Sequence, residues 1–136
     1  PQCDRNEYIF FPFLENGYFR YLGAMRICNK QRLTVETADE SPRFSYGVDS
    51  IVGASAVFVF ADILLALRAQ SLGLKAIACT GLTLLHHNEW LKHLENKAVT
   101  IVHHHPSSGP MLQVLDKFKQ AGLAKPSVES VKAMFD

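Results

Sequence analysis

Three short apolar runs in the second half of the chain alternate with longer stretches of helical character. They are Ala56–Phe60 (Ala-Val-Phe-Val-Phe), 75–79 (Lys-Ala-Ile-Ala-Cys) and 98–102 (Ala-Val-Thr-Ile-Val). This alternation is the signature of parallel βαβ units, because parallel strands need long crossovers and are covered by helices on both faces. It restricts the chain to an α/β fold, a Rossmann-like parallel sheet flanked by helices. A helix is expected over 62–72 and stops at Gly73, which takes the left-handed conformation without a Cβ penalty. Asp62 at its start reads as a solvated acid favoured by the helix dipole. Gly81 marks a turn, a second helix is expected over 86–96, and the loop 103–110 leads into a helix over 111–121. A last helix is expected over 127–135, with Ser127 as its N-cap. The run 57–60 is the most continuously apolar, so it belongs in the centre of the sheet, with the third strand delivering the loop 103–110 at the carboxyl edge.

The first half has a different period. Tyr-Ile-Phe-Phe-Pro-Phe at 8–13 and the run 18–27 flank Glu15-Asn16-Gly17, and Asn-Gly between apolar runs is a strong hairpin signal. Strict alternation along the second strand sends Phe19, Tyr21, Met25 and Ile27 one way and Tyr18, Arg20, Leu22 and Arg26 the other. Residues 29–50 mix charge, Ser, Thr and Pro, which suits an irregular connection with one short strand at 32–36. A single domain over 1–136 follows, with a hairpin region at 1–50 and an α/β core at 51–136.

The formal net charge is +1, so the chain is no polycation, and a nucleic-acid contact has to come from a local basic patch. Six of the 14 Lys and Arg residues precede Ser45. Cys3, Cys28 and Cys79 are odd in number and widely spaced, which favours free thiols in a reducing compartment over a disulfide framework. No apolar run approaches a membrane span and the start has no secretory pattern, so a soluble protein of the cytoplasm is expected. The chain opens with Pro1, and because an initiator methionine is normally trimmed before proline, a whole mature protein is the expectation.

Several segments carry a family likeness. The segment 57–68, Val-Phe-Val-Phe-Ala-Asp-Ile-Leu-Leu-Ala-Leu-Arg, is an apolar strand running into an apolar helix. The segment 75–84, with Gly81 and Thr83, is a strand and Gly-Thr turn, and 99–109, Val-Thr-Ile-Val-His-His-His-Pro-Ser-Ser-Gly, is a strand and glycine loop. In order and spacing these resemble the toprim domain of bacteriophage-type DNA primases. The upstream hairpin is similar to the region preceding that domain, with Pro12, Gly17 and Arg26 in the matching places. The likeness spans about 8–122. It implies a toprim-like sheet and a phage-encoded protein of DNA replication or transcription, working in the host cytoplasm. The family's catalytic glutamate falls on Ala61 and its two aspartates on His104 and Pro106, and only Gly109 of that motif is kept. Beyond Gly122 the family has a fourth strand, where this chain gives Leu-Ala-Lys-Pro and a helical stretch, which puts a four-stranded sheet in question.

Toprim enzymes hold Mg²⁺ on carboxylates, and Mg²⁺ wants near-octahedral oxygen ligands. Ala61 and the Pro106 side chain offer none, and His104 offers a nitrogen better suited to zinc or another transition metal. The resemblance therefore implies a degenerate, non-catalytic site without Mg²⁺. His103, His104 and His105 are candidate metal ligands, since alternate residues of an extended chain share a side, and His86, His87 and His93 lie on the next helix; a polar loop is the bland alternative. Tyr18, Arg20 and Arg26 are candidate nucleic-acid contacts, an aromatic to stack on bases and two cations for phosphates. Phe10, Phe11, Phe13, Phe58 and Phe60 read as core, and Arg68 as a surface charge.

The leading expectation is a non-catalytic toprim-like protein that binds single-stranded DNA or a replication or transcription partner. A histidine-metal nuclease or nucleotidyl transferase is the alternative enzyme. A protein-interaction module, assembling through strand edges and the apolar hairpin, including as a homo-oligomer, is the third reading.

Overall fold

A computed structural model describes residues 8–26, 32–34, 45–79 and 81–135. In the N-terminal part β1 (Tyr8–Glu15), β2 (Tyr18–Arg26) and β3 (Arg32–Thr34) form an antiparallel sheet in that order. Asn16 and Gly17 connect the first two strands with φ of 53° and 78°. Positive φ at both central positions is what the tight hairpin turn matching strand twist requires, and Asn-Gly supplies it at low cost. Pro12 sits on β1, where an edge position leaves its missing N–H without consequence.

The second sheet holds β4 (Ala56–Phe60), β5 (Ala76–Ala78), β6 (Ala98–His103) and β7 (Ser127–Ser130) in the order β5-β4-β6-β7, all parallel. Helix α1 (Ile63–Ser71) joins β4 to β5, and α3 (Gly109–Gln120) joins β6 to β7. Strand β4 is interior, as its unbroken apolar character demands. Alternation along the strands sorts the core into two layers. Val57, Val59, Ile77, Val99 and Ile101 face one way, onto Trp90, Leu94, Met111, Val114 and Phe118. Phe60, Ala76, Ala78 and Val102 face the other, onto Ala66 and Ala69 of α1. The small alanines of β5 let α1 lie close on that face. The hairpin adds a third cluster, in which Phe11, Phe13, Tyr21 and Met25 pack on Tyr46 and on Ile63 and Leu67 of α1.

Several sequence expectations need correction. The chain at 127–135 is not one helix, because Ser127–Ser130 pairs with β6 and only Val131–Phe135 (α4) is helical. Without that strand the outer edge of β6 would lie open, and unsatisfied backbone groups there outweigh the weak helical preference of four residues. The cap is accordingly Ser130, whose Oγ accepts the Ala133 amide at 3.0 Å. The segment 86–96 is no continuous α-helix. Helix α2 (Gly81–His86) ends where that segment begins and a 3-10 helix, Glu89–Leu94, lies within it, so that Gly81 starts a helix and not a turn. Phe10 is 54 % exposed and does not belong to the core. Arg68 is more than a surface charge, since its guanidinium lies 4.5 Å from the centroid of Phe135, which itself stacks on Phe60. Cys3, Cys28 and the residues 35–36 of the third expected strand lie outside the described residues.

Candidate functional site

The carboxyl ends of β4 and β6 lie side by side, because Phe60 pairs with Val102. The crossover from β4 runs to one side of the sheet and that from β6 to the other. A crevice outside such a reversal of strand order is where open α/β sheets place ligands. The register thus brings the positions Ala61 and Asp62, after β4, next to His103, His104, His105 and Pro106, after β6.

The chemistry gathered there is modest. The Asp62 carboxylate caps α1 and accepts the Leu64 amide at 2.8 Å. The His103 ring accepts the His105 amide on Nδ1 at 2.9 Å, and the two rings lie 6.2 Å apart edge to face. Burial, with the neighbouring His105 and His104, pushes His103 below the ordinary imidazole range, so it is neutral at pH 7. His104 and His105 are exposed, and Pro106 is half-buried against the loop. Among the described residues no group of three His, Cys, Asp or Glu side chains is placed to hold a metal ion. His93 is engaged by Glu15, and His87 uses its carbonyl, which accepts Trp90 Nε1 at 2.7 Å and Lys117 Nζ at 3.3 Å. Cys79, just beyond β5, is buried beside Ser45, and burial pushes its thiol far above the ordinary range. A protonated buried thiol is a poor nucleophile and a poor metal ligand.

The hairpin presents a different surface. Phe11, Phe13 and Tyr21 are buried, but the register shifts between Phe13 and Leu14, with Arg20 as the extra residue, so that Leu14 faces Phe19. This β-bulge corrects the alternation read from sequence. Phe19 leaves the face of Tyr21 and is 56 % exposed, next to Tyr18 at 74 %. Phe10, Leu14, Tyr18 and Phe19 are thus exposed on the same hairpin as the exposed Arg20. Arg26 pairs with Tyr8 at the opposite end of the ladder, and its side chain lies outside the described residues. Six residues of strand set it about 20 Å from Arg20.

The hairpin tip is fixed by Asp49, Glu15 and Lys92, which sequence reasoning did not single out, and by His93, which it offered only in a metal reading. Asp49, in the 3-10 helix Val48–Ile51, accepts the Asn16 amide on one carboxylate oxygen at 2.7 Å and the Gly17 amide on the other at 2.9 Å. Glu15 lies 2.8 Å from His93 Nε2 and 3.1 Å from Lys92 Nζ. These partners are 32 to 78 positions apart in sequence, and no local pattern announces them.

No protein-family model, curated protein or solved structure matches the chain.

Proposed function

We propose that the chain is a non-catalytic, toprim-like nucleic-acid-binding domain that takes single-stranded DNA on its N-terminal hairpin. The observation that carries this reading is the exposure of Tyr18 and Phe19 beside Arg20, with Phe10 exposed on the adjoining strand. Large aromatic rings held in water on a hairpin, next to a permanent cation, are the elements of a surface that stacks bases and holds phosphates without reading sequence. The strand-end positions support the non-catalytic half. Ala61, His104 and Pro106 converge at the carboxyl ends of adjoining strands, as a toprim-type site would, and none supplies a carboxylate. A phage replication or transcription setting follows from the same resemblance.

The test is a fluorescence-anisotropy titration of labelled oligothymidine and of duplex DNA at low and moderate salt. Single strands should bind more tightly than duplex, with affinity falling as salt rises. Replacing Arg20 and Arg26 together by Ala should weaken binding and flatten the salt dependence by about 1.4 in log–log slope, the value for two lost single-strand phosphate contacts. Tyr18→Ala should cost about 1–3 kcal/mol through lost stacking. Undetectable binding of oligothymidine by the parent at low salt would overturn the proposal. Self-association abolished by Phe10→Ser and Phe19→Ser would then favour an interaction module, because the exposed apolar stripe serves that role equally well.

A further inference from the structure

An isolated two-stranded ribbon is marginally stable in water, and its tip is the part most prone to fray. In this protein the tip is gripped from two sides. In the Asn16-Gly17 turn, with positive φ at both residues, successive amides are presented to a single anion, and the two oxygens of Asp49 take one each. On the other side Glu15, the last residue of β1, meets Lys92 and His93 of the second 3-10 helix. Both anchoring segments are rooted in the α/β core, through Val48 and Ile51 in one and Trp90, Leu91 and Leu94 in the other. Ser50 Oγ donates to the Gly47 carbonyl at 2.6 Å and stiffens the first of them.

We infer that Asp49, together with the Glu15–Lys92–His93 cluster, is a latch whose role is to hold Tyr18, Phe19 and Arg20 in their binding position, an inference that rests on the hairpin being the nucleic-acid platform. Tyr18 is the ladder partner of Glu15, so the residue that anchors the tip and the first residue of the platform stand across the same turn. Pre-ordering these side chains removes an entropic cost that a free-swinging ribbon would carry on binding. The latch also sets Lys92 against the Glu15 carboxylate, whereas Asp49 keeps its charge and is held by the two amides.

The latch makes a prediction opposite in sign to simple charge. Removing a carboxylate beside a phosphate track would, by electrostatics alone, tighten binding. Asp49→Ala is expected instead to weaken oligothymidine binding about tenfold, the equivalent of one hydrogen bond to a charged group. Asp49→Asn, which keeps one acceptor, should give an intermediate loss, and Asp116→Ala, an exposed acid on α3, none. Amide hydrogen exchange by NMR reads the latch directly and without DNA: the Asn16 and Gly17 amides should be protected in the parent and exposed in Asp49→Ala, with circular dichroism unchanged. Tighter or unchanged binding in Asp49→Ala, or rapid exchange of both amides in the parent, would overturn the latch. A parent that protects both amides yet binds no oligothymidine would overturn the platform reading, and with it the positioning role.

Discussion

At the scale of single residues, Cys79 is kept out of reach of solvent. Cys79 is fully buried at the end of β5, and burial holds it protonated at neutral pH. In a variant with Cys3→Ser and Cys28→Ser, a thiol reagent should therefore leave Cys79 untouched in the native protein and label it fully in denaturant. Labelling of the native protein within seconds would show that the β5 end is open to solvent. Lys117 shares this region. Burial lowers its ammonium below the ordinary lysine range, yet it donates to the His87 carbonyl across the gap between α3 and the end of α2. Tyr46 is likewise raised by burial, and its ring meets Phe11 and Phe13 edge-on at 5.8 and 5.4 Å. Its backbone bridges Ala78 in both directions, so one residue joins the hairpin cluster to the parallel sheet.

At the scale of elements, the hairpin is the unit whose sequence and structure agree most closely at the turn and least along the strands. Asn16-Gly17 has open space around the Gly17 position, so the requirement for glycine there is purely conformational. Gly17→Ala should destabilise the protein by about 1 kcal/mol through its positive φ, while Gly17→Asn should cost much less, as measured by urea unfolding. Equal losses in the two variants would place the cause in packing. The bulge at Arg20 has no comparable sequence mark, because the residues on either side, Phe19 and Tyr21, are both aromatic and suit either face. Period-two reasoning therefore put Phe19 on the side of Tyr21, and the bulge moves it to the other. In β7 the four residues Ser-Val-Glu-Ser carry too little apolar signal to be told from the first turn of a helix, and the pairing with β6 decides.

At the scale of the molecule, the antiparallel and parallel sheets are joined by the Tyr46 cluster at one end and the carboxylate latch at the other. The latch gives stability a pH dependence. Burial pushes Glu15 up, but hydrogen bonds and charge from Lys92 and His93 more than offset it, and its carboxyl lies below the ordinary range. A carboxyl with a depressed folded-state pKa contributes stability that is present above its unfolded pKa and lost as pH falls through the folded value. The parent should thus be more stable than Glu15→Gln at pH 7, and the difference should shrink on acidification below the ordinary glutamate range. A difference independent of pH in paired thermal melts would mean that the ion pair is inconsequential. Among the described residues no helix is long and apolar enough to cross a membrane.

The sequence by itself determined the α/β class, the interior place of β4, the hairpin turn and the absence of carboxylates at Ala61, His104 and Pro106. Each rests on local chemistry: a run of apolar residues, an Asn-Gly pair, a side chain that has no oxygen. Only the tertiary structure decided the fourth strand, the outward face of Phe10 and Phe19, and the union of Asp49 and Glu15 with the hairpin tip. Those depend on which backbone groups are left to satisfy, and on partners brought together from distant parts of the chain. A strand edge, a bulge and an ion pair across 78 positions are settled by what lies opposite in space, which periodicity along one chain does not encode.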